Sequence, residues 1–166
     1  MNPNIKIPFV DLYPQYEEIK QDIDFAVADI IKKSDFITGP TVEKFERAIC
    51  KYTGAEECAS IGSGTNALTC ALKALDIGPG HQVMTVGHTF VSTTESIVNV
   101  GATPVFVDID EFYHLDISKM QLTDTLKAIL FVDLYGQTPD IDKILEFAKK
   151  FNKIETAQSG NFDLPF

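Results

Sequence analysis

Basic residues are scarce in this chain: 14 lysine and arginine residues face 24 aspartate and glutamate residues, a formal net charge of −10. The lysine pairs Lys32-Lys33 and Lys149-Lys150 are its densest positive stretches. Such a surface cannot neutralise a nucleic-acid backbone or an anionic membrane, so neither is expected as a partner, and any phosphate binding has to be local. Long apolar runs are also missing, and Met1-Asn2-Pro3-Asn4-Ile5-Lys6 lacks a signal-peptide pattern, so a soluble, cytoplasmic protein is expected. Cysteine is sparse: Cys50, Cys58 and Cys70 are odd in number and lack metal-ligand spacing, which reads as buried or reduced thiols. His81, His88 and His114 are scattered and suggest no metal site. The glycine-rich dinucleotide fingerprint is absent too, which disfavours a general α/β nucleotide-binding module.

What is present is a 45% apolar composition over 166 residues, enough for the core of one domain of ordinary size. The chain is organised around Ser63-Gly64-Thr65-Asn66-Ala67-Leu68. The apolar run Cys58–Ile61 precedes this stretch and is expected as a strand. Ala67, Leu68, Ala71, Leu72 and Leu75 follow at helical spacing. A small-residue turn from strand to helix leaves backbone N–H groups without intrahelical partners, and Gly64 lets backbone approach a ligand with no Cβ in the way. The helix N-terminus favours an anion and Thr65 adds a hydroxyl, so the turn suits a phosphate. By itself it suits better a core helix merely capped by Ser63.

Elsewhere the pattern is regular. Ile7–Leu12 reads as an extended entry. A helix is expected from Glu17 on the apolar positions Ile19, Ile23, Ala26, Val27, Ile30 and Ile31, and a loop over Asp35–Pro40. A second helix has Thr41 as N-cap and Val42, Phe45, Ile49 and Tyr52 on one face until Gly54. Strands are expected at Gln82–Val86, Pro104–Asp108 and Lys127–Val132, and helices at Thr89–Val100 and from Ile141 to Phe151. Apolar strands alternating with helices imply an α/β fold: a mostly parallel sheet flanked by helices, with ligands at the carboxyl edge of its strands. That edge would gather the Ser63 turn, Gly87-His88-Thr89-Phe90, Asp133-Leu134-Tyr135-Gly136-Gln137 and Glu155-Thr156-Ala157-Gln158. Phe90 there could stack on a planar heteroaromatic ring or be a core phenylalanine.

From Ile7 to about Gln158 these residues resemble the DegT/DnrJ/EryC1/StrS sugar aminotransferases, of the fold type I pyridoxal phosphate enzymes. The resemblance runs through Phe9–Leu12, Phe36–Pro40, Ser63–Leu68, Gly78–Gly80, His88–Thr93, Gly101–Asp108 and Leu134–Gln137, in order and spacing. It implies transfer of an amino group, usually from glutamate, to a nucleotide-linked keto sugar on the way to a polysaccharide or glycan. Gly64 and Thr65 would hold the cofactor phosphate and Phe90 would stack on its ring. Where the family carries Ile-Glu-Asp-Ala-Ala-Gln, with the aspartate on the pyridinium nitrogen, this chain has Ile154-Glu155-Thr156-Ala157-Gln158. Glu155 or Thr156 would take the aspartate's place, Gln158 would match the glutamine, and the strand has shrunk to about one apolar residue against ~5 in a usual strand. Val86 stands where proline is common, and Asp133 where histidine or serine is.

The family's Schiff-base lysine lies in a serine- and phenylalanine-containing loop that nothing in Gly160–Phe166 resembles. Residues 1–166 are therefore expected to be the N-terminal part of the cofactor-binding large domain, truncated, without the small domain, and inactive alone. A homodimer or a complementing chain is expected as partner. The alternative is a non-catalytic interaction piece that complements a second chain.

Overall fold

The computed structural model describes residues 8–150 and the strand at 155–159. The chain divides into two compact units, Met1–Cys58 and Ala59–Phe166.

The first unit carries two helices, α1 (Tyr13–Lys33) and α2 (Pro40–Thr53). Pro14 lies in the first turn of α1, where a missing N–H costs nothing, and the helix begins at Tyr13 rather than at Glu17. Lys33 pairs with Asp29 at 2.6 Å, and Lys20 with Asp24 one turn on, so the polar side of α1 supports itself. Thr41 is not the cap of α2. Gly39 is, at φ +131°, with Pro40 starting the helix, because the proline ring already holds the helical φ. A Cβ on Gly39 would stand 2.7 Å from Asp35 Oδ1 and push that side chain aside, and its φ of +131° strains any residue but glycine. Gly54 ends α2 at φ +79°, its N–H donating to Cys50 O at 2.8 Å. The apolar stripes read from the sequence exist, yet no residue of α1 or α2 is buried.

The second unit is a parallel sheet in the order β2-β1-β3-β4, with β1 at Gln82–Val86, β2 at Thr103–Val107, β3 at Leu126–Val132 and β4 at Glu155–Ser159. Three helices complete it: α3 (Gly64–Ala74), α4 (Val91–Asn99) and α5 (Ile141–Lys149). Leu72 and Leu68 of α3 and Ile97 of α4 pack on Val83, Ala128 and Leu130, while Ile144 and Ala148 of α5 pack on the other face with Met84, Val86, Ile129 and Phe131. Both faces of β1 and β3 are therefore dry, which is why their residues read as continuous apolar runs.

Several local expectations change. Cys58–Ile61 forms no strand: the run is short, built half of alanine and serine, and Ala59, Ser60 and Ile61 are exposed. On α3 the buried stripe narrows to Leu72 with Leu68 beside it, and Ala71 and Leu75 are exposed. Helix α4 starts two residues later than read, since Phe90 keeps an extended backbone at its N-cap. The last strand keeps a length of five residues, with Ala157 as its one apolar residue. Phe151, placed on the last helical stripe, lies outside the described residues. Cys70 is exposed, and Cys50 and Cys58 are half-buried free thiols. Among the described residues no helix is long and apolar enough to cross a membrane.

Candidate functional site at the carboxyl edge of the sheet

β1 leads through α4 to β2 on one side, and β3 leads through α5 to β4 on the other, with α4 and α5 on opposite faces. The two connections leave the carboxyl edge in opposite directions, so a crevice opens between the ends of β1 and β3, the point where sheets of this class bind ligands. From β1 it receives Gly87, His88, Thr89 and Phe90. From β3 it receives Asp133 and the 3-10 turn Leu134–Gly136.

The Ser63 turn lies in the same unit. Ser63 is the N-cap of α3, its Oγ accepting from Asn66 N at 3.2 Å. Gly64 and Thr65 are the first helical residues, so their N–H groups have no acceptor within the helix, and the place of a Cβ on Gly64 is open space. Thr65 Oγ1 donates to Ser92 Oγ at 2.8 Å, which ties the first turn of α3 to the first turn of α4. The sequence reading gave Thr65 to the ligand. In the structure it gives its proton to Ser92, whose own proton stays available to an anion lying on the two helix starts. Phe90 stands two residues before Ser92 and is 74% exposed, so it is no core residue. Two amides, one hydroxyl and an open aromatic face fit a phosphate attached to a planar ring.

Three rings gather at the same edge, of which the sequence reading placed His88 and Tyr135 there within their stretches and missed Tyr113. His88 follows β1, Tyr113 follows β2 and Tyr135 follows β3. Their ring centres are 5.4 Å (His88–Tyr113), 5.8 Å (Tyr113–Tyr135) and 6.4 Å (His88–Tyr135) apart. Both tyrosines have left-handed backbones, φ +67° and +60°, a conformation a bulky residue keeps only where its surroundings enforce it. For Tyr113 the enforcement comes from Asp110, whose Oδ1 accepts from Phe112 N at 2.8 Å and His114 N at 2.9 Å inside a hairpin closed by the bridge between Ile109 and Leu115. A cleft of about 410 Å³ adjoins, lined by Gly87, His88, Phe106, Val107, Asp108 and Ile109.

Asp133 is buried, and its Oδ1 has no hydrogen-bond partner. Burial pushes its carboxyl above the usual carboxylate range, with the His114 charge acting in the opposite sense. His114 Nε2 is also buried without a partner, while its Nδ1 lies 3.9 Å from Asp110 Oδ2. The sequence did flag Asp133 as unusual, but only folding shows that it is buried and unpaired.

The structure brings Gly64, Thr65 and Phe90 into one neighbourhood through the Thr65–Ser92 bond. β4 divides the other two expected residues. Gln158 pairs in register with Phe131, near the carboxyl edge, whereas Glu155 pairs with Ala128. Three residues of strand, about 10 Å, separate the two positions along β4. Among the described residues no group of three or more histidine, cysteine or carboxylate side chains is placed to hold a metal ion.

Residues 17–154 match the DegT/DnrJ/EryC1/StrS aminotransferase family. Over 148 residues the chain is 40% identical to a UDP-2-acetamido-2-deoxy-3-oxo-D-glucuronate aminotransferase of Pseudomonas aeruginosa, covering 87% of this chain and 41% of that protein. It is 37% identical over 153 residues to a UDP-N-acetyl-3-dehydro-alpha-D-glucosamine 3-aminotransferase of Acidithiobacillus ferrooxidans, covering 90% of this chain and 42% of that protein. Among solved structures, DesV of S. venezuelae, in complex with a ketimine intermediate, superposes with a TM-score of 0.88 at 32% identity over 92% of this chain and 42% of that one. The Bacillus subtilis protein NtdA with bound PMP gives 0.88 at 27% identity over 95% of this chain and 37% of that one. The chain thus spans about two fifths of the length of these relatives.

Proposed function

The chain belongs to the DegT/DnrJ/EryC1/StrS aminotransferase family, and from that premise we propose that it is the amino-terminal, cofactor-binding part of a pyridoxal phosphate enzyme that aminates nucleotide-linked keto sugars with glutamate as donor. The observation that carries this reading is the Thr65–Ser92 hydrogen bond, which draws the open starts of α3 and α4 together beside the exposed Phe90 ring. In this reading the Gly64 and Thr65 amides and the Ser92 hydroxyl hold the cofactor phosphate, Phe90 covers one face of the ring, and Gln158 contributes from β4. Glu155 lies three residues before Gln158 on the same strand, opposite Ala128. Bound pyridoxal phosphate supplies an electron sink, and the protein supplies its orientation and electrostatics. The sugar chemistry follows the relatives' names, both of which specify UDP-linked 3-oxo sugars. We place the reaction in the cytoplasm, on the way to a polysaccharide or glycan, with a homodimer or a complementing chain completing the site.

Lysine chemistry bears on activity. Lys119 follows β2 and is held by Asp108 at 3.0 Å and Asp116 at 3.3 Å, which raise its pKa and keep it protonated, a poor nucleophile. In this reading the family's Schiff-base lysine loop is not among these residues, and a polypeptide of these 166 residues is expected not to transaminate alone. Borohydride reduction with pyridoxal phosphate, followed by mass spectrometry, should give no stoichiometric adduct on one lysine; such an adduct together with glutamate-dependent turnover would refute this.

The phosphate site is tested by amide hydrogen exchange. Pyridoxal phosphate or inorganic phosphate should slow exchange at Gly64 and Thr65, and unchanged exchange at saturating ligand overturns the assignment.

A further inference from the structure

Away from the sheet edge, a cleft of about 450 Å³ lies within the first unit, lined by Glu43, Glu46, Arg47 and Cys50 of α2 and by Glu57 and Cys58 of the segment after it. The four α2 residues recur at i, i+3, i+4 and i+7, so they share one face of the helix. Gly54 then turns the chain. It sits at φ +79° with its N–H on Cys50 O at 2.8 Å, and Thr53 Oγ1 braces the turn by donating to Ile49 O at 2.9 Å and accepting from Ala55 N at 3.3 Å. The chain so turned brings Cys58 to the same cleft that Cys50 lines, and the charges of Cys50 and Glu46 both act on the Cys58 thiol. Both thiols are free and half-buried. Among the described residues no group of three ligands is placed to hold a metal ion, which leaves thiol chemistry to the pair.

We propose that Cys50 and Cys58 form a reversible intrachain disulfide, a redox latch that fastens the segment after Gly54 to the last turn of α2. The latch is independent of the cofactor reading above. Its co-reactant is a low-molecular-weight disulfide of the oxidised glutathione type. One protein thiolate attacks that disulfide and expels a thiolate; the second protein thiolate attacks the mixed disulfide at its protein sulfur and expels the other. Two cysteines are oxidised, one small disulfide is reduced to two thiols, and the two protons that the cysteines lose pass to the departing thiolates. Burial pushes the Cys58 thiol up, with the Cys50 and Glu46 charges acting in the same sense, so exchange is slow at neutral pH and the pair rests reduced.

The test uses the full chain carrying Cys70→Ser, which removes the exposed third thiol. Trypsin cuts after Lys51, so the bridge appears in mass spectrometry as two peptides joined through Cys50 and Cys58. With oxidised glutathione at about pH 8.5, near the thiol range, the folded chain should favour the bridge over glutathione adducts about tenfold more than the same chain in urea, because the fold holds the two sulfurs within reach. Dithiothreitol should restore both thiols, and the bridged form should exchange its Gly54 amide about tenfold more slowly than the reduced form, since the closed loop suppresses fraying of the helix end. Glutathione on either cysteine as the main product, chains joined in pairs, or the same preference with and without urea overturns the proposal. A bridge that leaves Gly54 exchange unchanged also overturns it, because the bond would then fasten nothing. Folding is followed by circular dichroism. Should Cys70→Ser unfold, the same ratio is read on the wild-type chain, where chymotrypsin cuts after Leu68 and parts Cys58 from Cys70.

Discussion

At the scale of single residues, Phe90 and Asp133 break the ordinary preferences of their side chains in opposite ways. Phe90 leaves a large apolar ring 74% exposed, and Asp133 buries a carboxylate. If Phe90 covers the cofactor ring, Phe90→Ala should weaken pyridoxal phosphate binding by about 0.5–1.5 kcal/mol beyond lost area, measured by fluorescence titration; unchanged affinity would remove the ring from the site. Asp133 carries a pH prediction. Its folded pKa is raised by burial, so the stability it contributes is complete below the unfolded carboxylate range and is lost as pH rises through the raised value. Without cofactor, Asp133→Asn should therefore resist urea better than the wild type at pH 7, with the gap closing as pH falls below about 4. A wild type that is more stable than the variant at neutral pH would mean that the charge is paired.

Among the elements, α3 matters most because it both fills the core and begins at the Ser63 turn, where we propose that the phosphate binds. Leu72 is fully buried against Val83, Ile97 and Leu130, and Leu72→Ala should lower stability by about 2–5 kcal/mol in urea denaturation. The turn between α4 and β2 rests on Gly101, at φ +80°, where an added Cβ would meet Pro79 Cγ at 3.0 Å. Gly101→Ala should cost about 1–2 kcal/mol from the left-handed backbone, read from the urea midpoint at unchanged slope. A neutral result would mean that the Pro79 loop moves aside. Element type was legible where apolar spacing was long and regular, as in α4, α5, β1 and β3. It was not legible at Cys58–Ile61, because a short apolar run becomes a strand only if another strand lies next to it.

For the molecule as a whole, the first unit sets the expectation. Its helices expose Ile19, Phe25, Ile31, Phe45 and Tyr52, and none of their residues is buried. In the second unit Phe106 of the edge strand β2 is 55% exposed. Surfaces of this kind seek apolar cover, so the 166-residue chain should self-associate at micromolar concentration in sedimentation velocity. A monomer that unfolds in a single cooperative transition would contradict this.

The sequence by itself determined the class of fold, the helix start at Gly64-Thr65, the place of Phe90 after β1, and the family. Periodicity and local turn chemistry are properties of neighbouring residues, and these features need nothing more. Tertiary structure alone decided that Thr65 gives its proton to Ser92, that His88, Tyr113 and Tyr135 meet, that Gln158 lies opposite Phe131, and that Asp133 is left buried without a donor. Each of these depends on which strands lie side by side and in what register. One residue of slip changes every pairing along a strand while leaving its sequence untouched.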